Sequence, residues 1–184
     1  MSSKSIFQKL EEKPPTNTLN RYVLLSAISA IIIYIIIAIF FYLSGSPLSK
    51  VIPGQISFSG TYLKDIYWET ANLSYYKISQ ILDYIFMISY GILLFSLSVK
   101  VTRDYPQGSL FKTIGYSIAI GGIIAACLDG LENVFILLTL TNPLGFPDWY
   151  AITQSSFSVP KWILIFIAIV YILIAYFYRK IKKI

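Results

Sequence analysis

Asp129, Glu132 and Asn133 stand inside an apolar run, Ile114–Leu140, that is long enough to cross a bilayer. Thirteen Leu, Ile, Phe and Val residues of this run oppose its two acids. On insertion scales an acid at a helix centre costs about 2.5–3.5 kcal/mol and each such apolar residue returns only about 0.3–0.6 kcal/mol, so the terms nearly cancel. The carboxylates therefore have to face protein rather than lipid. Two carboxyl groups and an amide within five residues could hold a proton, a cation or the amine of an amphiphile, or serve as a general acid.

Asp83, Tyr90 and Lys161 can join them. Asp83 lies about one turn below the outer end of another apolar run, on the face shared with Ser79, Met87 and Tyr90. It either points into the bundle or is solvated at the headgroup level. Ser158-Val159-Pro160 is a good helix start, which puts Lys161 on a first turn at the level of the acids. There it either pairs with Asp129, Glu132 or Asp83 or snorkels to water beside Trp162. Asp129 and Glu132 are expected to hold one proton between them at neutral pH unless Lys161 or a bound cation reaches the pair. The candidate polar cluster or ligand-binding site is thus Asp83, Tyr90, Asp129, Glu132, Asn133 and Lys161, with no catalytic role assigned and no metal expected.

These residues need a tight bundle around them. Ser117, Gly121, Ala125, Asp129 and Asn133 recur every four residues, with Gly122, Ala126 and Gly130 forming a second line beside them. Small residues at this spacing let a neighbouring backbone come close.

Composition narrows the chemistry. The 184 residues are 56% hydrophobic and 13% charged, with a mean hydropathy of +0.67, which places the chain in the membrane class. The chain holds no histidine, which removes the usual haem and zinc ligand and the commonest general base. Its single cysteine, Cys127, rules out an internal disulfide and multi-cysteine metal motifs. No cofactor motif and no nucleic-acid-binding motif is present.

The net charge of +6 follows from the helix flanks. Eleven basic residues (Lys4, Lys9, Lys13, Arg21, Lys100, Arg103, Lys112, Arg179, Lys180, Lys182, Lys183) fall on one side, against Lys50, Lys64, Lys77 and Lys161 on the other. The positive-inside rule then places both termini in the cytoplasm. The expected fold is all-α, a four-helix transmembrane bundle with two external loops. Residues 1–21 read as a polar, mobile tail in which Pro14 and Pro15 stop any helix begun at Ser5. The transmembrane domain covers 22–178, with spans at about 22–43, 78–99, 114–140 and 159–178, and a basic tail covers 179–184. A cleavable signal peptide is not expected, because the first apolar run starts only after Arg21 and lacks a cleavage site. Tyr62, Tyr67, Trp68, Tyr75 and Tyr76 of the long loop suit an interfacial belt or a roof over the bundle, and Asn72-Leu73-Ser74 matches a glycosylation acceptor. The terminal Lys-Ile-Lys-Lys-Ile reads as a basic flank in preference to a retrieval signal.

Tyr84 through Gly91, Asp129-Gly130-Leu131-Glu132-Asn133 and Lys161-Trp162 together resemble an uncharacterised family of small four-span prokaryotic integral membrane proteins. Their second helix is aromatic-rich, their third carries Asp-x-x-Glu-Asn and their fourth opens on Lys-Trp. The resemblance covers about Tyr75 to the C-terminus. It implies the same architecture and a prokaryotic plasma membrane, and it supplies no activity.

Three functions fit these residues. The cluster could be structural, in an accessory subunit of a membrane complex or a homo-oligomer; it could bind a proton, a cation or an amphiphile's amine; or it could serve an enzyme that protonates a lipid or isoprenoid. The lack of histidine puts the enzyme third. Membrane lipids are the expected surroundings in every case.

Overall fold

A computed structural model describes residues 5–182. Among them are seven helices and no strand: α1 (Ile6–Glu12), α2 (Thr16–Leu43), α3 (Leu48–Gln55), α4 (Gly60–Glu69), α5 (Leu73–Arg103), α6 (Leu110–Thr139) and α7 (Trp149–Lys182). Four of them, α2, α5, α6 and α7, are long and apolar enough to span a membrane. The expected all-α architecture with four membrane-length helices is therefore what the chain forms. Lys4 and Lys183, counted among the basic flanks, lie outside the described residues, as does Ile184.

Polar caps set most of the helix starts. Asn72 Oδ1 accepts from the N–H groups of Ser74 and Tyr75 at the head of α5, and Ser109 Oγ accepts from Lys112 N–H at the head of α6. Asn72 is thus engaged as a cap through its Oδ1. All four long helices overrun the expected spans. The largest difference is α7, which begins at Trp149 and runs straight through Pro160 rather than starting at Ser158. A proline inside a helix removes one backbone hydrogen bond. Here Ala151, Ser155 and Ser158, each fully buried, hold the first three turns against neighbours in spite of it.

The apolar helices are not equivalent. Helices α5, α6 and α7 pack on one another, whereas α2 lies chiefly against α5, with Ser29 and Ser89 hydrogen-bonded at 2.8 Å. Ile28, Ile31, Ile32, Ile35 and Ile39 of α2 are exposed, as a lipid-facing helix requires. The site residues therefore belong to a three-helix core with α2 on its flank.

One end of the bundle gathers α1, the α5–α6 turn and the last turns of α7. Arg103 donates to Leu10 C=O, Tyr105 donates to Ala175 C=O, and Arg179 pairs with Asp104. The expected loose tail is instead a helix docked on this end. Ser5 and Gln8 close a capping box at its start, and Glu11 is bonded to Lys112 and Tyr116. The opposite end gathers α3, α4 and the α6–α7 connection, through Lys64 to Asp148 at 2.9 Å and Phe58 N–H to Ser155 Oγ at 3.1 Å.

At that opposite end Phe41, Leu63, Ile66, Tyr67, Tyr76 and Phe146 form an aromatic-rich roof over α6 and α7. Full burial of side chains such as Leu63 and Ile66 is worth about 1.5–3 kcal/mol each, enough to hold two short helices down. Burial also pushes the Tyr67 phenol well above its ordinary value, so its hydroxyl stays neutral and shares a 2.7 Å hydrogen bond with Thr139. The loop aromatics divide accordingly: Tyr67 and Tyr76 build the roof, while Trp68 faces outward.

Candidate functional site: a buried carboxylate and lysine cluster

Lys161 Nζ lies 2.9 Å from Asp129 Oδ1 and also pairs with Glu132 Oε2. Tyr90 donates its hydroxyl proton to Asp129 Oδ2 at 2.8 Å, and Asn133 Nδ2 donates to Asp83 Oδ2 at 2.7 Å. Tyr84 adds a 3.3 Å hydrogen bond to Gly130 C=O. Glu132, Asn133, Lys161 and Asp129 are 0%, 1%, 3% and 4% exposed, Tyr90 is buried, and Asp83 is half-buried. The six candidate residues thus form two bonded groups, Tyr90, Asp129, Glu132 and Lys161 in one and Asp83 with Asn133 in the other, on α5 (Asp83, Tyr90), α6 (Asp129, Glu132, Asn133) and α7 (Lys161).

Helix α6 positions the acids because its buried face follows the true helical period. Gly115, Ala119, Gly122, Ala125, Asp129, Glu132 and Ile136 are all buried. A four-residue step overshoots a full turn by about 40°, so a line of such steps drifts around the helix. Ser117, at the bottom of the expected stripe, accordingly emerges on the exposed side with its Oγ bonded to Thr113 C=O. The tight contact is at Gly122, where a Cβ would meet Leu94 Cβ at 2.9 Å, rather than at Gly121, where the nearest atom is Leu164 Cδ2 at 3.6 Å.

Helix α7 supplies a second polar face that sequence reading missed. Gln154, Ser158 and Lys161 follow one another by four and three residues, and all are buried. Ser158 lies beside the Glu132 carboxylate. Gln154 Oε1, Ser158 Oγ and Glu132 Oε1 make no hydrogen bond of ordinary geometry among the described residues. The signal was the same three-and-four spacing, hidden because 141–158 reads as a loop.

Two expectations are corrected or resolved here. Lys161 does not snorkel beside Trp162. It turns inward to the two acids, and Trp162 Nε1 instead reaches Gln55 on α3 at 3.0 Å. The condition attached to a shared proton on Asp129 and Glu132, that Lys161 stay away, is therefore not met. Asp83 points toward α6, and its partner is Asn133 rather than the lysine.

Chemically, the cluster sets three carboxylates against one ammonium. They do not form a three-acid metal group: Lys161 occupies the place between Asp129 and Glu132, and Asn133 holds Asp83. What the arrangement can do is hold an amine between carboxylates, as it does with its own lysine, and carry protons on the acids left over. No protein-family model, curated protein or solved structure matches the chain.

Proposed function

We propose that the chain is a polytopic membrane protein whose α5–α6–α7 cluster binds a proton or the ammonium head of an amphiphile. One observation carries the reading: two almost wholly buried carboxylates share a single lysine, and a third carboxylate, Asp83, joins the cluster held only by the Asn133 amide. Two negative charges would remain if all were ionised, and an isolated buried charge is expensive. A proton or a second ammonium supplies the missing charge. Gln154 Oε1, with no hydrogen bond among the described residues, is an acceptor available to such a guest. Half-buried Asp83 is the way in. The clustering of α1, the α5–α6 turn and the end of α7 at one end, together with the basic flanks, puts both termini on one side, which the positive-inside rule reads as cytoplasmic. Cysteines placed at Gln107 and Thr61 in a Cys127→Ser background check this, and labelling of Gln107→Cys from outside intact cells would reverse the orientation.

The binding test is thermal unfolding of the purified protein with dodecylammonium, with uncharged dodecanol, and with sodium as a control. A ligand at a hundred times its Kd stabilises by about 2.7 kcal/mol, several degrees for a chain of this size. Stabilisation by dodecylammonium alone, lost in Asp83→Asn/Glu132→Gln, is the expected result. Proton uptake on acidification, read with a pH dye and reduced in the same variant, identifies the proton instead. If neither occurs, the cluster is a closed lock. That second reading, a structural or accessory role, is favoured by Lys161 already engaging both Asp129 and Glu132.

A further inference from the structure

At the end opposite the carboxylate cluster a second buried lysine is gripped by a carboxylate, and here the carboxylate comes from outside the bundle. Lys112, on the first turn of α6, is 6% exposed. Its Nζ donates to Tyr105 C=O at 2.9 Å and to Glu11 Oε1 at 2.6 Å. One turn further along α6, Tyr116 donates its hydroxyl proton to Glu11 Oε2 at 2.7 Å. Arg103 Nε and Nη2 both donate to Leu10 C=O, at 3.0 and 2.7 Å, at the carbonyl-rich end of α1 where a cation is favoured.

The helix that brings Glu11 is short and shallowly packed. α1 has seven residues and buries none of them fully. Its apolar contacts are Phe7, 6.0 Å from the Tyr116 ring, and Leu10, both half-buried against the cluster of Leu19, Val99 and Tyr116. A cleft of about 400 Å³ runs between it and the α5–α6 turn, lined by Phe7, Glu11, Glu12, Gln107, Lys112 and Tyr116 among others. That space is far larger than a carboxylate needs, and it opens at the ends of the membrane-length helices, the level at which lipid headgroups lie.

We propose that Lys112, Tyr116 and Arg103 form an anion site for a phosphate-bearing group, that of an anionic membrane lipid or free phosphate, and that the Glu11 carboxylate stands in for it in this structure. Lys112 and Tyr116 present two donors to two oxygens of one anion, and the Arg103 guanidinium, which holds Leu10 C=O while α1 is docked, is released beside them when α1 leaves. A phosphate carries more acceptor oxygens and at least the charge of a carboxylate. The cleft takes the glycerol part. When the phosphate enters, Glu11 leaves and α1 loses its main polar hold, so the two compete for the same donors.

Competition gives the test its sign. Full-length protein in detergent is titrated with short-chain phosphatidylglycerol, with a short-chain diacylglycerol of the same acyl length, or with inorganic phosphate alone, and binding is read by native mass spectrometry. Glu11→Gln should bind phosphatidylglycerol at least fivefold more tightly than the natural protein, with diacylglycerol binding unchanged. Adding Lys112→Gln, or Tyr116→Phe where the lysine variant does not fold, should reverse the gain. Displacement of phosphatidylglycerol by inorganic phosphate marks free phosphate as a sufficient ligand, and its failure to displace marks the lipid. Unchanged phosphatidylglycerol affinity in Glu11→Gln, or a gain that survives both second substitutions, overturns the proposal.

Discussion

Replacing Lys161 with methionine tests the central arrangement most directly. Methionine keeps the length and most of the apolar stem while removing the ammonium, so packing changes little. What is lost is the cation 2.9 Å from Asp129 Oδ1 and paired with Glu132, in surroundings where these acids are 4% and 0% exposed. Removing one partner from a buried ion pair costs about 3–5 kcal/mol, because the other charge is left unpaired. For a chain of this size 1 kcal/mol is worth about 2–4 °C, so Lys161→Met should lower the midpoint by about 6–20 °C. The assay is thermal unfolding in detergent, followed by circular dichroism and by retention on a sizing column. The triple variant Lys161→Met/Asp129→Asn/Glu132→Gln should recover most of the loss, because the amides remove both stranded charges and the amide oxygen at position 129 still accepts from Tyr90. A Lys161→Met midpoint within about 2 °C of the natural protein would refute the reasoning, since no buried charge would then depend on the lysine.

Two other outcomes are expected. Gly122→Ala places a Cβ 2.9 Å from Leu94 Cβ and 3.4 Å from Phe95 N, so it should cost about 1–3 kcal/mol, whereas Gly121→Ala meets nothing nearer than 3.6 Å and should cost about 0.5 kcal/mol or less; equal midpoints would show that α5 does not pack on Gly122. At the docked end, burial alone would raise the Glu11 carboxyl, but hydrogen bonds from Lys112 and Tyr116 and the charges of Lys112 and Arg103 outweigh it and hold the group below the usual 4.5 of a glutamate. A lowered folded value means that the stabilisation is present above pH 4.5 and is lost as pH falls through the lowered value. Hydrogen-exchange protection of α1, corrected for intrinsic rates, should therefore be present at about pH 7 and decline as the pH is taken progressively below 4.5, and Glu11→Gln should lack it throughout; protection indifferent to pH and to the substitution would remove Glu11 as the anchor.

The four long helices were legible because apolar runs of membrane length leave few alternatives, and the acids at Asp129 and Glu132 were legible because their insertion cost forbids a lipid-facing position. Lys161 was not, because a lysine near a helix end has two cheap solutions, and the choice depends on how far the helix extends. Once α7 starts at Trp149, Lys161 is more than three turns inside it and snorkelling is no longer available. The same extension conceals Gln154 and Ser158 in a stretch whose Pro143, Gly145 and Pro147 argue for a loop and whose Ser158-Val159-Pro160 argues for a helix start only there. α1 was missed for a different reason. Seven residues are too few for a helix to be stable alone, so its existence rests on Glu11, Leu10 and Phe7 finding partners about ninety or more positions away. The capping box at Ser5 and Gln8 was its visible sign, and Pro14 and Pro15 do end it as expected.

The two lysines thus occupy comparable settings at opposite ends of one helix bundle, and charge alone does not join them. Lys112 and Asp129 are separated by seventeen positions along α6, about 25 Å at helical rise. At an effective dielectric of about 20, unit charges at that distance interact by about 0.7 kcal/mol, roughly a threefold change in any equilibrium. Between them Gly122 packs against Leu94, and Gly91 against Ala126, with no room for water in the contact. Coupling stronger than threefold would have to pass through movement of α6 between α5 and α7. Lys161→Met, wherever it remains folded, should therefore change the phosphatidylglycerol affinity of the Glu11→Gln protein by no more than threefold. A larger change would show that α6 shifts as a unit and that the two ends are one device.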